Sequence, residues 1–278
     1  MTDFPVSDDA KKREPMFFVP FVVVALVAAL LAIHAVLTQM GAATQDAVVR
    51  DLAFLPGRLT LSIWPDRLAG LLARVNTDPS ALEQAAMLRH YKALEGGAKI
   101  WTLFTYALLH GSWTHVIVNS IWLIAFGPPV ARRFGSGRFL AFFAMTAAAG
   151  ALAHWAADPM DFSPLIGASA ADSGLMAAAA RFIFQPGAPL GGRQDLSRLA
   201  IEAGDARPVP NLRQLLSQRR AVIFIVIWMA TNFVFGAGAQ ALGASEAPIA
   251  WIAHVGGFAA GLLAFRLFDR PRRRDQRP

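Results

Sequence analysis

Long stretches of this chain carry no charge, and short polar or strongly basic connections separate them. Residues 17–39 contain no Asp, Glu, Lys or Arg, and residues 101–131 contain none either. As helices rising about 1.5 Å per residue, such runs can cross a bilayer core of about 30 Å. The second half of the longer run, 113–130, predicts a span that ends at Pro128-Pro129. Segments 139–157, 164–184, 221–242 and 247–265 predict four more, the second of these enclosing the carboxylate Asp172. The pattern therefore predicts an all-α, polytopic membrane protein of six transmembrane helices.

The connections orient these spans. Arg132, Arg133 and Arg138 separate the second and third, and Arg193, Arg198, Arg207, Arg213, Arg219 and Arg220 separate the fourth and fifth. Arg266, Arg270, Arg272, Arg273, Arg274 and Arg277 follow the sixth, whereas the short links 158–163 and 243–246 hold no Lys or Arg. Basic loops stay in the cytoplasm, so both termini are expected inside and the short links outside. Residues 1–16 then form a cytoplasmic tail, 17–269 the membrane domain and 270–278 a basic cytoplasmic tail. Lys11, Lys12 and Arg13 precede the first span as they would in a signal peptide, and Gly41-Ala42-Ala43 mimics a cleavage site. The apolar run exceeds an h-region of roughly 7–15 residues, however, and reads as an uncleaved anchor. The long outer segment, 40–99, mixes apolar clusters with scattered charges and predicts short amphipathic helices at the interface. Residues 186–219 read as a polar cytoplasmic loop.

Composition supports the lipid reading. The chain has 278 residues, is 55% hydrophobic and 16% charged, with a mean hydropathy of +0.42. A soluble domain carries roughly a quarter charged residues. The net charge of +7 lies at the ends of apolar segments, where topology accounts for it without nucleic acid. With no cysteine, disulfides, a thiolate nucleophile and cysteine-ligated metals are excluded. Of the six histidines only His110 and His115 are close in sequence, and no carboxylate shares their face, so no metal and no cofactor is expected.

Three short strings place reactive polar residues within these apolar spans, where such groups are costly and usually functional. Gly167-Ala168-Ser169-Ala170 begins near the outer end of the fourth span. It reads either as a small-residue packing face or as a serine given room by Gly167. His254 sits at a similar depth in the sixth span, with Gly257 and Gly261 on its face; a Gly-x-x-x-Gly stripe lets a neighbouring helix come close. If that neighbour is the fourth span, His254 can take the Ser169 proton; otherwise it is an interhelical hydrogen-bonding group. His115 and Asn119, one turn apart in the second span, are either an interhelical polar contact or donors for an oxyanion. Each such donor is worth roughly 10²–10³ in kcat. His110, just before that span, reads as a brace for the loop.

The order His-x-x-x-x-His-x-x-x-Asn, Gly-x-Ser, then Ala-His-x-x-Gly-x-x-x-Gly resembles the rhomboid family of intramembrane serine proteases, over roughly residues 101–265. The resemblance implies a rhomboid-like bundle in which Ser169 is the nucleophile and His254 the base, with no aspartate completing a triad. It also implies an oxyanion hole of His115, Asn119 and the Ser169 backbone N–H, supported by His110, Gly167, Gly257 and Gly261. Trp101 matches a tryptophan common in the family's outer loop, while Thr102 stands where arginine is usual. Ala170 replaces the glycine of Gly-x-Ser-Gly, and would be strained if that position needs a positive φ but harmless in a helix. Asp172, one turn below the serine, reads as a protonated acid, as the partner of a polar neighbour or as a perturber of His254, the plainest of these being a protonated, hydrogen-bonded group.

The expected activity is thus cleavage of other proteins' transmembrane helices near the outer face of a membrane, the bacterial inner membrane suiting this topology best. The expected partners are such substrates and the lipid bilayer, and no feature sets an oligomeric state. A catalytically inactive rhomboid-like protein that binds or escorts membrane clients is the competing reading. A solute transporter ranks below both, because the polar residues cluster towards one side only.

Overall fold

The computed structural model describes residues 19–67, 97–185, 209–234 and 251–269. Both tails, about half of the outer segment (68–96), the cytoplasmic loop 186–208, the end of the fifth expected span with the short link after it (235–246) and the start of the sixth expected span lie outside the described residues. Among the described residues the chain is helical, and four helices are long and apolar enough to cross a membrane. These are α1 (Phe21–Thr38), α5 (Trp113–Phe134), α6 (Ser136–Ala157) and α10 (Trp251–Phe268). The fourth and fifth expected spans fall on shorter helices, α7 (Ser169–Ile183) and α9 (Arg219–Phe233), of 15 residues each. The described part of the outer segment forms α2 (Ala42–Leu52) and α3 (Pro56–Ile63), the single turn α4 (Thr102–Thr105) follows that segment, and α8 (Leu212–Leu216) precedes α9.

Two expected boundaries are corrected. Pro128-Pro129 does not end α5, which continues to Phe134. The last turns are held by burial: Val130, Ala131 and Phe134 are in the core, and Phe134 packs on Phe142 and Phe265. Tertiary packing here outweighs the backbone hydrogen bonds that proline removes. Gly135, at φ +78°, then turns the chain directly into α6, three residues before the expected start. In the fourth expected span, residues 164–168 are not helical, so Ser169 is the first residue of α7 rather than a residue within it.

α7 lies at the centre. Every residue from Ala170 to Ile183 is buried, which explains a helix of small side chains whose hydrophobicity faces protein rather than lipid. α10 packs on both α6 and α7, and the fit depends on missing side chains. A Cβ on Gly257 would collide with the Ala170 carbonyl, and one on Gly261 with the Gly174 carbonyl. On α6, a Cβ at Gly150 would stand 2.6 Å from the Ala170 Cβ and 2.7 Å from the Ala253 oxygen. These contacts bring the backbones of α6, α7 and α10 together around Ser169.

The outer segment is clamped to the loop that leads into α7. Phe54 and Leu165 exchange backbone hydrogen bonds of 3.2 and 2.9 Å, and Gly57 N–H donates to the Asp161 carbonyl at 2.7 Å. Below, the Tyr106 hydroxyl donates to Ala147 of α6, and its carbonyl accepts from Gly167 N–H. Within the same loop the Asp161 carboxylate accepts from His154 Nε2 at 3.1 Å and from Ser163 N–H at 2.7 Å. Burial works to raise the Asp161 carboxyl, but the bonds from His154 and Ser163 outweigh it and hold it below the ordinary carboxylate range. Its stabilising contribution is therefore present above the unfolded carboxylate's pKa and is lost as pH falls through the lower folded value. Asp161→Asn should lower the thermal midpoint at neutral pH by the equivalent of about 1 kcal/mol or less. The difference from wild type should vanish on acidification, and a constant difference down to strongly acid pH would contradict the assignment.

Candidate active site

Ser169 and His254, 85 positions apart, meet across the α7–α10 contact: Ser169 Oγ lies 2.7 Å from His254 Nε2. Both side chains are half-buried. Close approach of α7 and α10 at Gly257, one turn below His254, makes the distance possible. Ala170 has a negative φ and continues the helix, so alanine is unstrained there.

The second string converges on the same place. Ser112 caps α5 by accepting from His115 N–H at 3.1 Å, which sets the start of the helix and the height of His115. Gly167 adopts φ +116°, and a Cβ there would stand 2.7 Å from His115 Nε2 and 3.5 Å from Asn119 Nδ2. Glycine is thus required twice over, for its backbone conformation and for the imidazole that lies against it. His115 and Asn119 therefore border the backbone two residues before Ser169. Asn119 is buried and its amide Nδ2 lies 3.0 Å from His110 Nε2, which also faces the Ala168 N–H at 3.5 Å. His110 so braces the turn between Gly167 and Ser169 from behind.

Several participants carry no motif. His34, on α1, points Nδ1 at the His110 carbonyl at 3.1 Å and packs edge-on against Trp113. Asn232, on α9, holds the far side of the base: its Oδ1 is 2.7 Å from His254 Nδ1, and its Nδ2 donates to the Trp228 carbonyl at 2.9 Å. The signal was present, since Asn232 is a polar residue in the uncharged run 221–233. Arg181, also unremarked in the sequence reading, is buried near the far end of α7 and donates to the Leu262 and Pro210 carbonyls. Asp172 departs from expectation: it is buried, but its carboxyl oxygens have no hydrogen-bonding partner among the described residues. Trp101 donates from its indole to the Asp51 carbonyl, and Thr102 from its hydroxyl to the Lys99 carbonyl, both tying the chain back to the outer segment.

Chemically, a hydroxyl bonded to an imidazole nitrogen, with amide and imidazole donors bordering the adjacent turn, contains the parts that acyl transfer needs. The Rhomboid domain family model matches residues 97–192 and 206–270. Over 75 residues, 27% of this chain, the sequence is 36% identical to a Bacillus subtilis (strain 168) protein named "Putative rhomboid protease YdcA". The chain spans 37% of that relative's length. With the family model covering more than half of its residues and four described helices long and apolar enough to cross a membrane, this chain belongs to the rhomboid family and is an integral membrane protein.

Proposed function

We propose that the protein is an intramembrane serine endopeptidase that cleaves transmembrane helices of other membrane proteins. The observation that carries this reading is the 2.7 Å contact between Ser169 Oγ and His254 Nε2. In this mechanism His254 removes the hydroxyl proton as Ser169 attacks a peptide carbonyl carbon. The C=O electrons move onto the oxygen, and the resulting oxyanion is held by the Ser169 N–H, His115 and Asn119. One Asn119 amide hydrogen is directed at His110, and the amide nitrogen carries a second that is available for the oxyanion. His254 then protonates the leaving amine, and water, activated by the same imidazole, hydrolyses the acyl-enzyme.

The substrate bond must be extended to enter such a site, so helix-weakening Gly, Pro or polar residues near the end of a transmembrane segment should favour cleavage. In this reading α7 and α9 cross the membrane together with the four longer helices, giving six crossings. His115, Ser169 and His254 all lie near the starts of their helices, and the arginines Arg132, Arg133 and Arg266 lie near the ends. With those arginines in the cytoplasm, the termini are cytoplasmic and cleavage occurs towards the outer face, in keeping with a bacterial inner membrane.

The test is labelling of the detergent-solubilised full chain by a fluorophosphonate. Covalent labelling should appear in the wild type and be lost in His254→Ala. A folded wild type that stays unlabelled in both detergent and lipid would refute the protease reading.

A further inference from the structure

We propose that Asn232 is a positioning residue for the hydrolytic reaction: it fixes the tautomer and ring orientation of His254, so that the working unit is Ser169–His254–Asn232. The inference rests on the protease reading above. Its physical basis is a chain of three hydrogen bonds whose directions are all determined by the first. The Trp228 carbonyl can only accept, so the Asn232 nitrogen Nδ2, 2.9 Å away, must be the donor. That leaves Oδ1 facing His254, and an amide oxygen can only accept. His254 Nδ1, at 2.7 Å, therefore carries the ring proton. In a neutral imidazole the other nitrogen is then bare, and Nε2 is the atom 2.7 Å from Ser169 Oγ. The nitrogen facing the nucleophile is thus prepared to accept its proton.

The packing around this chain holds it in register. α9 and α10 run antiparallel, with Phe233 edge-on to Trp251, Asn232 bonded to His254, and Trp228 stacked on Phe258 at 4.1 Å between ring centroids. The pairs 228/232 and 254/258 are each one helical turn apart, so the stacked rings and the hydrogen bond form successive rungs of one interface. Elsewhere α9 is a rim helix, with Ile223, Val226 and Ile227 exposed on its surface. The apolar rung stabilises the contact, whereas the polar rung selects one of two tautomers. An orienting partner of this kind acts without touching substrate, and a wrong tautomer is costly because the base then presents a hydrogen where it must accept one.

Two readouts on the full-length chain in lipid nanodiscs test this. The first is the ¹⁵N signature of the His254 ring, in protein labelled at histidine and assigned with His254→Gln. The second is the rate of fluorophosphonate labelling. The wild type should show the Nδ1–H tautomer. Asn232→Leu, similar in shape and suited to lipid, should lose that preference and label about tenfold or more slowly. Asn232→Asp, which again offers an oxygen to Nδ1, should restore both to within a few-fold of wild type. An Nε2–H tautomer in the wild type overturns the proposal without any variant, as does an Asn232→Leu protein that keeps the Nδ1–H form or labels at the wild-type rate. A wild type that fails to label refutes the protease reading instead, and the tautomer still decides whether Asn232 positions His254.

Discussion

Ser169→Ala should abolish cleavage of a transmembrane substrate co-reconstituted with the protein in lipid, while leaving the fold intact. A nucleophile and its base act as one unit, and removing either typically costs about 10⁴–10⁶ in kcat. The expected structural cost is small by comparison. Ser169 is half-buried, and replacing its hydroxyl breaks the bond to His254, a loss of about 1 kcal/mol. Ser173, one turn on, already directs its hydroxyl to the Ser169 carbonyl at 2.7 Å and is not a substitute nucleophile. Product formation would be followed by gel electrophoresis and the fold by thermal midpoint. Residual cleavage above about a hundredth of wild type, with the fold preserved, would remove Ser169 from the nucleophile's role.

Gly257→Leu should do the opposite, damaging the bundle first and the chemistry as a consequence. The Cβ alone would overlap the Ala170 carbonyl oxygen and stand 2.8 Å from its carbon. These are backbone atoms of the central helix and cannot rotate away, so α7 and α10 must separate. Overpacking a close interface costs about 1–3 kcal/mol, and more when backbone has to move. A separation of about an ångström also stretches the Ser169–His254 contact beyond hydrogen-bonding distance. A lowered thermal midpoint together with lost fluorophosphonate labelling is expected. Gly137→Ala is the control, since nothing lies within 4 Å of a Cβ there, and both properties should be retained. A Gly257→Leu protein as stable and reactive as wild type would show that the α7–α10 contact is not what brings the pair together.

Much of this arrangement is legible along the chain. The uncharged runs mark α1, α5, α6 and α10, because a backbone in lipid must satisfy its own hydrogen bonds and does so as helix. The Gly257/Gly261 stripe marks a close helix contact, and the structure supplies the central α7 as its partner. Ser169, His254, His115, Asn119 and His110 all gather around the Gly167 turn and the α7–α10 contact.

What resists reading are the features decided at a distance. α5 runs through two prolines because Phe134 finds Phe142 and Phe265, and no local propensity reports that. The short α7 can be rich in alanine because its neighbours enclose it, a fact hydropathy alone does not carry. Asn232, His34 and Arg181 stand in apolar sequence without a motif, and each takes its partner from another helix or loop. Local composition dictates which segments are helices and which faces approach closely, because each peptide group and each missing side chain acts where it stands. Which polar atoms then meet depends on the rotation and depth of every helix at once. Those are set by packing across the whole bundle, and so Asn232 behind His254 emerges only once the helices are assembled.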